Sequence, residues 1–232
     1  MKIRFIILLI VHVLTLRIFA QDKYCNCNTD SEQASDFEVK LIGKAFINIY
    51  PGRIKQFYKN WLPGELQMSD GTIVKNKILG YNCLLDEVIW MRTTDYQQVV
   101  LYKKAITGFT LYDSNNKETS EFKKFYLKKS SVGDSTGTFL QVLVKGRLTL
   151  LVERKVVLLR NADEFQVQDQ YYLLKDDGEL NKLVPNRRSL FRLMNNEKDE
   201  NRMKVVVRKN FLFIKKEPKL IKAIQLFNEE NN

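Results

Sequence analysis

The residues in this chain whose types and spacing could do chemistry are paired acids: Asp86-Glu87, Asp163-Glu164 and Asp176-Asp177. Two carboxyl groups facing each other across a cleft, about 5 to 9 Å apart, can hydrolyse a glycan, one as acid and the other as base or nucleophile. Adjacency in sequence does not create that cleft, and acids in turns also serve simply to accept hydrogen bonds from nearby backbone. Other catalytic groups are scarce. The one histidine, His12, lies in an apolar N-terminal run, so the rest of the chain has no imidazole for a Ser-His-Asp or Cys-His arrangement, for a general base or for zinc. Cys25 and Cys27 are too close in sequence to bridge each other, but either is a candidate partner for Cys83 in an oxidising compartment. The Cys-Asn-Cys run lacks the further ligands that a stable metal site needs. No catalytic, cofactor-binding or metal-ligating residue is therefore assigned.

Compartment follows from the N-terminus. Lys2 and Arg4 precede an apolar run from Phe5 to Leu16 that ends in Phe19-Ala20 before polar Gln21, the layout of a secretory signal peptide over residues 1–20. The run is shorter than the roughly 20 apolar residues of a spanning helix, and no second segment of that length follows. The expected location is secreted or periplasmic, with association at the outer envelope left open. Removing Lys2, Arg4 and Arg17 leaves 35 basic against 27 acidic residues, a formal charge of +8. Most lysines alternate with apolar residues, as on the wet face of a sheet. The segment FKKFYLKK, Phe122 to Lys129, interleaves aromatics and lysines as nucleic-acid binders do, but export argues against that partner.

Residues 21–36 are polar and aperiodic and read as a flexible leader. From 37 to 184 the pattern is that of an antiparallel β body. Asp70-Gly71 and Asp177-Gly178 each separate apolar runs with residues that tolerate positive φ, which predicts two hairpins. A short helix or turn over Arg53 to Trp61 precedes the first hairpin, and between the two come strands over Tyr81–Leu84 and Val88–Met91 and a meander through Gln97–Tyr102 and Ile106–Tyr112. A loop over Asp113 to Ser120 and further strands, including one over Phe165 to Lys175, complete the body. Residues 185–232 change to helical spacing, with Leu190, Phe191, Leu193 and Met194, then Met203, Val206 and Val207, then Leu220, Ile221, Ile224 and Phe227 as buried stripes. Glu217-Pro218 opens the last helix. The fold class is mainly β, a β-rich α+β arrangement: an antiparallel meander of about ten strands, as an open sheet or partial barrel, under a C-terminal helical cap.

Within the stretch WLPGELQMSDGTIVKNKILGYNCLLDEVIWM, Tyr81, Asn82 and Trp90 are the candidate binding residues, because a polar Asn among aromatics in a two-sided apolar strand must find partners. Three functions remain. The favoured one is an exported, non-enzymatic protein that binds or scaffolds an envelope component through a sheet face or the groove between sheet and cap. The second is a carrier of an apolar ligand such as a lipid, held by a half-barrel with the helices as lid. The third is a carboxylate-dependent glycan hydrolase.

The elements Trp61 then Gly64, Asp70-Gly71, Tyr81-Asn82, FLQVLVKGRLTLL, YYLLKDDGELNKL, RRSLFRLM and KLIKAIQLFN together resemble a group of uncharacterised secreted proteins of Bacteroidetes-type bacteria. The resemblance implies export and this architecture. It implies no activity, and no functional residue is carried across.

Overall fold

A computed structural model describes residues 41–48, 56–115, 118–127, 137–159, 164–194 and 196–229. The expected signal peptide and leader, with Cys25 and Cys27, lie outside them. The described strands are β1 (Gly43–Ala45), β2 (Leu62–Met68), β3 (Ile73–Asn82), β4 (Glu87–Met91), β5 (Gln98–Leu101), β6 (Ile106–Asp113) and β7 (Glu118–Phe125). They continue as β8 (Thr138–Val144), β9 (Leu148–Glu153), β10 (Val156–Leu159), β11 (Glu164–Val167), β12 (Gln170–Lys175) and β13 (Leu180–Leu183). Three helices follow: α1 (Arg187–Arg192), α2 (Glu197–Lys209) and α3 (Glu217–Glu229). The fold is mainly β, as the sequence pattern implies. Sheet and helices belong to one unit, Lys40–Asn232, so the cap is an extension of the β body and not a separate domain.

Among the described residues, eleven strands form one antiparallel sheet in the order β1-β5-β4-β3-β2-β6-β7-β8-β9-β12-β13, and β10 and β11 make a separate two-stranded ribbon. Both Asp-Gly hairpins form as expected. Gly71 and Gly178 have φ of +88° and +83°, while Asp70 Oδ1 accepts from the Thr72 amide and Asp177 Oδ1 from the Glu179 amide, each at 2.8 Å. One expectation fails here. β6 does not continue the meander beside β5 but pairs with β2, on the far side of three strands. Four interstrand spacings in a flat sheet need about 19 Å, whereas five residues from Leu101 to Ile106 reach at most about 18 Å fully extended. Lys103–Ala105 form a 3-10 turn within that link, which shortens it further. The sheet must therefore curl, and Tyr81 of β3 meets Phe139 of β8 at 6.4 Å between ring centroids, although three strands separate them in the pairing order.

The curl is filled by aromatic rings. Phe109 and Phe122 are directly opposed across β6 and β7 and stack with centroids 4.5 Å apart, and Tyr81 and Phe139 pack against them at 5.0–5.3 Å. All four are fully buried. The volume that a half-barrel carrier would offer to a lipid is thus occupied by the protein's own side chains. A second core joins Leu148, Leu150, Leu173 and Leu183 of the sheet to the helical stripes. Met203, Val206 and Val207 of α2 and Leu220, Ala223, Ile224 and Phe227 of α3 are buried, at the spacing the sequence shows. Asn186 and Asn196 cap α1 and α2 by accepting from the amides of Ser189 and Asp199.

The described part of Arg53 to Trp61 takes the turn form of its expectation: Gln56 is in a 3-10 turn, Phe57 forms an isolated bridge to Asn82, and residues 58–61 bend before β2. Two further expectations change. The loop at Asp113 to Ser120 is shorter, because its ends pair as Asp113↔Glu118. The single strand over Phe165 to Lys175 is two, since the chain leaves the β10-β11 ribbon at Gln168-Asp169 before entering the sheet as β12. Replacing Phe109 by Ala should lower the unfolding free energy by about 3–5 kcal/mol, read as an earlier denaturant midpoint at unchanged slope.

Candidate functional site

Tyr81, Asn82 and Trp90 do not converge. Side chains alternate along a strand, and the register sets Tyr81 opposite Val88 and Trp90 opposite Leu79, so Tyr81 and Trp90 share the concave face. Asn82 points the other way. Its Oδ1 accepts from the Leu84 and Leu85 amides at 3.0 and 3.3 Å, which makes it a turn cap. Its Nδ2 is buried without a hydrogen-bond partner among the described residues. Trp90 is half-buried, with Lys77 Nζ 5.7 Å from the ring centroid.

The paired acids are separated by the same alternation. Asp86 sits at φ +54° in the turn after β3 and accepts from the Tyr81 hydroxyl at 2.8 Å, Lys103 Nζ at 2.5 Å and the Phe139 amide at 3.3 Å. It thereby closes the curl, linking the β3-β4 turn to the β5-β6 link and to β8. Burial pushes its carboxyl above the ordinary value despite Lys103, and burial also raises the Tyr81 hydroxyl. Glu87 starts β4 on the opposite face, across from Asn82, and pairs with Lys44 at 3.3 Å. Asp176 and Asp177 accept backbone amides within their hairpin turn. Glu164 is exposed on the ribbon, and Asp163 lies outside the described residues. Asp86, Glu87, Asp176 and Asp177 are thus engaged by backbone amides or by a cation. Among the described residues no group of three or more His, Cys, Asp or Glu is placed to hold a metal ion. Cys83 is a free, buried thiol pushed up to about 12 by burial, and so is protonated and a poor nucleophile at neutral pH.

Sequence reading missed the densest polar cluster, centred on Arg154 in the bend between β9 and β10. Its Nε donates to Gln141 Oε1 at 2.7 Å, and Nη1 donates to Asp169 Oδ2 at 2.5 Å and Glu217 Oε2 at 2.9 Å. Nη2 completes a fork on Glu217 at 2.9 Å, and the Tyr171 hydroxyl donates to Glu217 Oε2 at 2.8 Å. Gln141 Nε2 extends the cluster to the Tyr58 hydroxyl at 3.0 Å, and the guanidinium lies 5.7 Å from the Tyr58 ring centroid. One cation so ties β8, the ribbon exit and the first turn of α3 together. Burial alone would raise Glu217, but the Arg154 hydrogen bonds and charge, with the Tyr171 hydroxyl, outweigh it and hold this carboxylate below its ordinary range. Burial, followed by Glu217, raises the Tyr171 hydroxyl. A cleft of about 250 Å³ opens beside the cluster, lined by Tyr58, Cys83, Val156 and Val167 among others.

A larger groove, of about 640 Å³, lies where the β8-β9 turn meets the end of α3, lined by Val142 to Arg147 with Gln225, Asn228 and Glu229. Its walls are fixed by Asn228, whose Oδ1 accepts from the Leu148 amide at 3.0 Å while Nδ2 donates to the Leu148 carbonyl at 2.9 Å. Gly146, at φ +151°, is required there, because a Cβ would come within 2.3 Å of Asn228 Nδ2. β8 is bulged between Val142 and Val144, a device that re-aims side chains. Arg147 is anchored by Asp199 at 2.6 Å, and Lys145 pairs with Glu121.

The chain matches no family model, no curated protein and no solved structure with which it was compared.

Removing Arg154 would leave Asp169 and Glu217 part-buried without their cation. Arg154→Met should cost about 3–5 kcal/mol, measured by chemical unfolding at neutral pH. Glu217, held low in the fold, contributes stability above its ordinary titration range and loses it as pH falls through that range and below. The acid limb of the stability profile should therefore be shallower in Glu217→Gln than in the unaltered protein.

Proposed function

We propose that this is an exported, non-enzymatic protein that binds a polar partner at the cell envelope through the groove between the β8-β9 turn and α3. The observation that carries the reading is the prebuilt groove itself: Asn228 and the Arg147-Asp199 pair hold its walls through hydrogen bonds, while Lys145, Gln225 and Glu229 offer donors and acceptors at its rim. A preformed concave site with a few placed polar groups is the usual form of a binding site. The acids that an enzyme of this composition would need are engaged elsewhere, as caps and ion-pair partners. Export rests on the layout of residues 1–20.

Two measurements test the reading. Intact mass of the protein recovered from its native envelope should correspond to a chain starting at Gln21. A photo-crosslinking residue at Gln225 should capture one defined envelope component, and the same residue at exposed Lys182 on β13 should not. Equal capture from both positions, or loss of turnover of a defined substrate on changing a single Asp or Glu, would contradict the proposal.

A further inference from the structure

The segment between α2 and α3 carries an aromatic side chain where helix-ending chemistry favours glycine. Asn210 is the C-cap of α2, and the Phe211 amide donates to the Arg208 carbonyl at 3.2 Å while the Leu212 amide donates to the Val207 carbonyl at 3.1 Å. These two bonds are those of a Schellman ending, with Phe211 at the left-handed position and φ +49°. Glycine is the common occupant because a Cβ there is strained, and a bulky side chain with positive φ is an outlier that invites a functional explanation. The strain is not offset by packing of the ring, since Phe211 is 83% exposed. Leu212 and Ile214 are buried instead, in the second core, which forces Phe211 and then Phe213, 72% exposed, outward. Arg187 Nη2 further fixes the loop by donating to the Leu212 carbonyl at 3.4 Å.

Along the segment that carries these two rings the charge has one sign. Arg208, Lys209, Lys215 and Lys216 are all exposed, and segment 208–216 contains no acid. None of the four forms an ion pair among the described residues; the nearest acid in sequence, Glu217, is turned inward onto Arg154. Val205, also exposed, lies on the same face of α2 as Arg208 and Lys209 by its i+3 and i+4 spacing.

We infer that the α2-α3 loop is a membrane-surface anchor, in which Phe211 and Phe213 enter the interfacial layer of a lipid bilayer while Arg208, Lys209, Lys215 and Lys216 contact anionic headgroups. Exposed aromatics flanked by cations match the two components of interfacial binding, apolar burial and attraction to acidic lipid. An acidic protein surface would match the cations but give no reason to hold two phenylalanines in water at the cost of a strained cap. The inference is independent of what the groove at Gln225 binds.

The test uses the chain lacking residues 1–20 with two kinds of vesicle, phosphatidylcholine alone and phosphatidylcholine mixed with phosphatidylglycerol. Co-sedimentation is expected with the mixed vesicles only, weakening as salt is raised. Phe211→Gly combined with Phe213→Ser should weaken that binding at least about tenfold, from the apolar area withdrawn from lipid. Because glycine suits the left-handed position, Phe211→Gly alone should unfold at the same or a higher temperature, which separates loss of anchoring from loss of fold. No binding to either vesicle would overturn the inference and leave a protein as occupant of the tip. Binding undiminished in the double variant would overturn it equally, as attraction by charge alone.

Discussion

Arg154 is the point at which the separate parts of this chain are fastened to one another. Its guanidinium reaches Gln141 in β8, Asp169 at the exit of the ribbon and Glu217 in the first turn of α3, three elements that no backbone ladder connects directly. Removing such a charge from water costs several kcal/mol unless its donors are well matched, and here a fork on Glu217 and a bond to Asp169 match them. The consequence is a fixed starting point for α3. Its far end is fixed by Asn228 on Leu148, and the stripe of Leu220, Ala223, Ile224 and Phe227 packs between the two pins. The cap is thus held along its whole last helix, which in turn shapes the groove at one end and sets the exposed loop of Phe211 and Phe213 at the other.

The second constraint is the curl of the sheet. A short link from β5 to β6 is compatible with the pairing order only if the sheet bends, and Asp86 holds that bend by accepting from Tyr81, Lys103 and Phe139. Aromatic rings fill the concave side so that it is a core and not a cavity. Asp86, Asp169 and Glu217 are turned inward as fasteners on Lys103 and Arg154, while Arg208, Lys209, Lys215 and Lys216 and two phenylalanines remain outside.

Local features of the sequence carried through to the structure where local physics decides. The Asp-Gly hairpins, the opening of α3 at Glu217-Pro218 and the helical stripes all depend on neighbours within a few residues. Strand pairing does not. Nothing in the alternation of residues 97–112 tells β6 to leave β5 for β2, because that choice comes from how the whole sheet closes. Arg154 carries no local signal of its role because its partner Glu217 is 63 residues away; the legible hint is a basic residue between two strongly apolar strands, where a charge must find a partner. Asn82 is set apart from Tyr81 and Trp90 for a reason already contained in the sequence, since neighbours in a strand face opposite sides. Phe211 gave no signal at all, as its left-handed backbone is visible only in the fold.

Sheet and cap form one cooperative body through the pins at the two ends of α3. Native-state hydrogen exchange of the full chain reports on this, because local opening of a loosely held helix exposes its amides well below the free energy of global unfolding. The α3 amides from Leu220 to Phe227 should share the protection of β8, β9 and β12. Exchange of α3 by a separate, low-energy opening, while those strands stay protected, would contradict it.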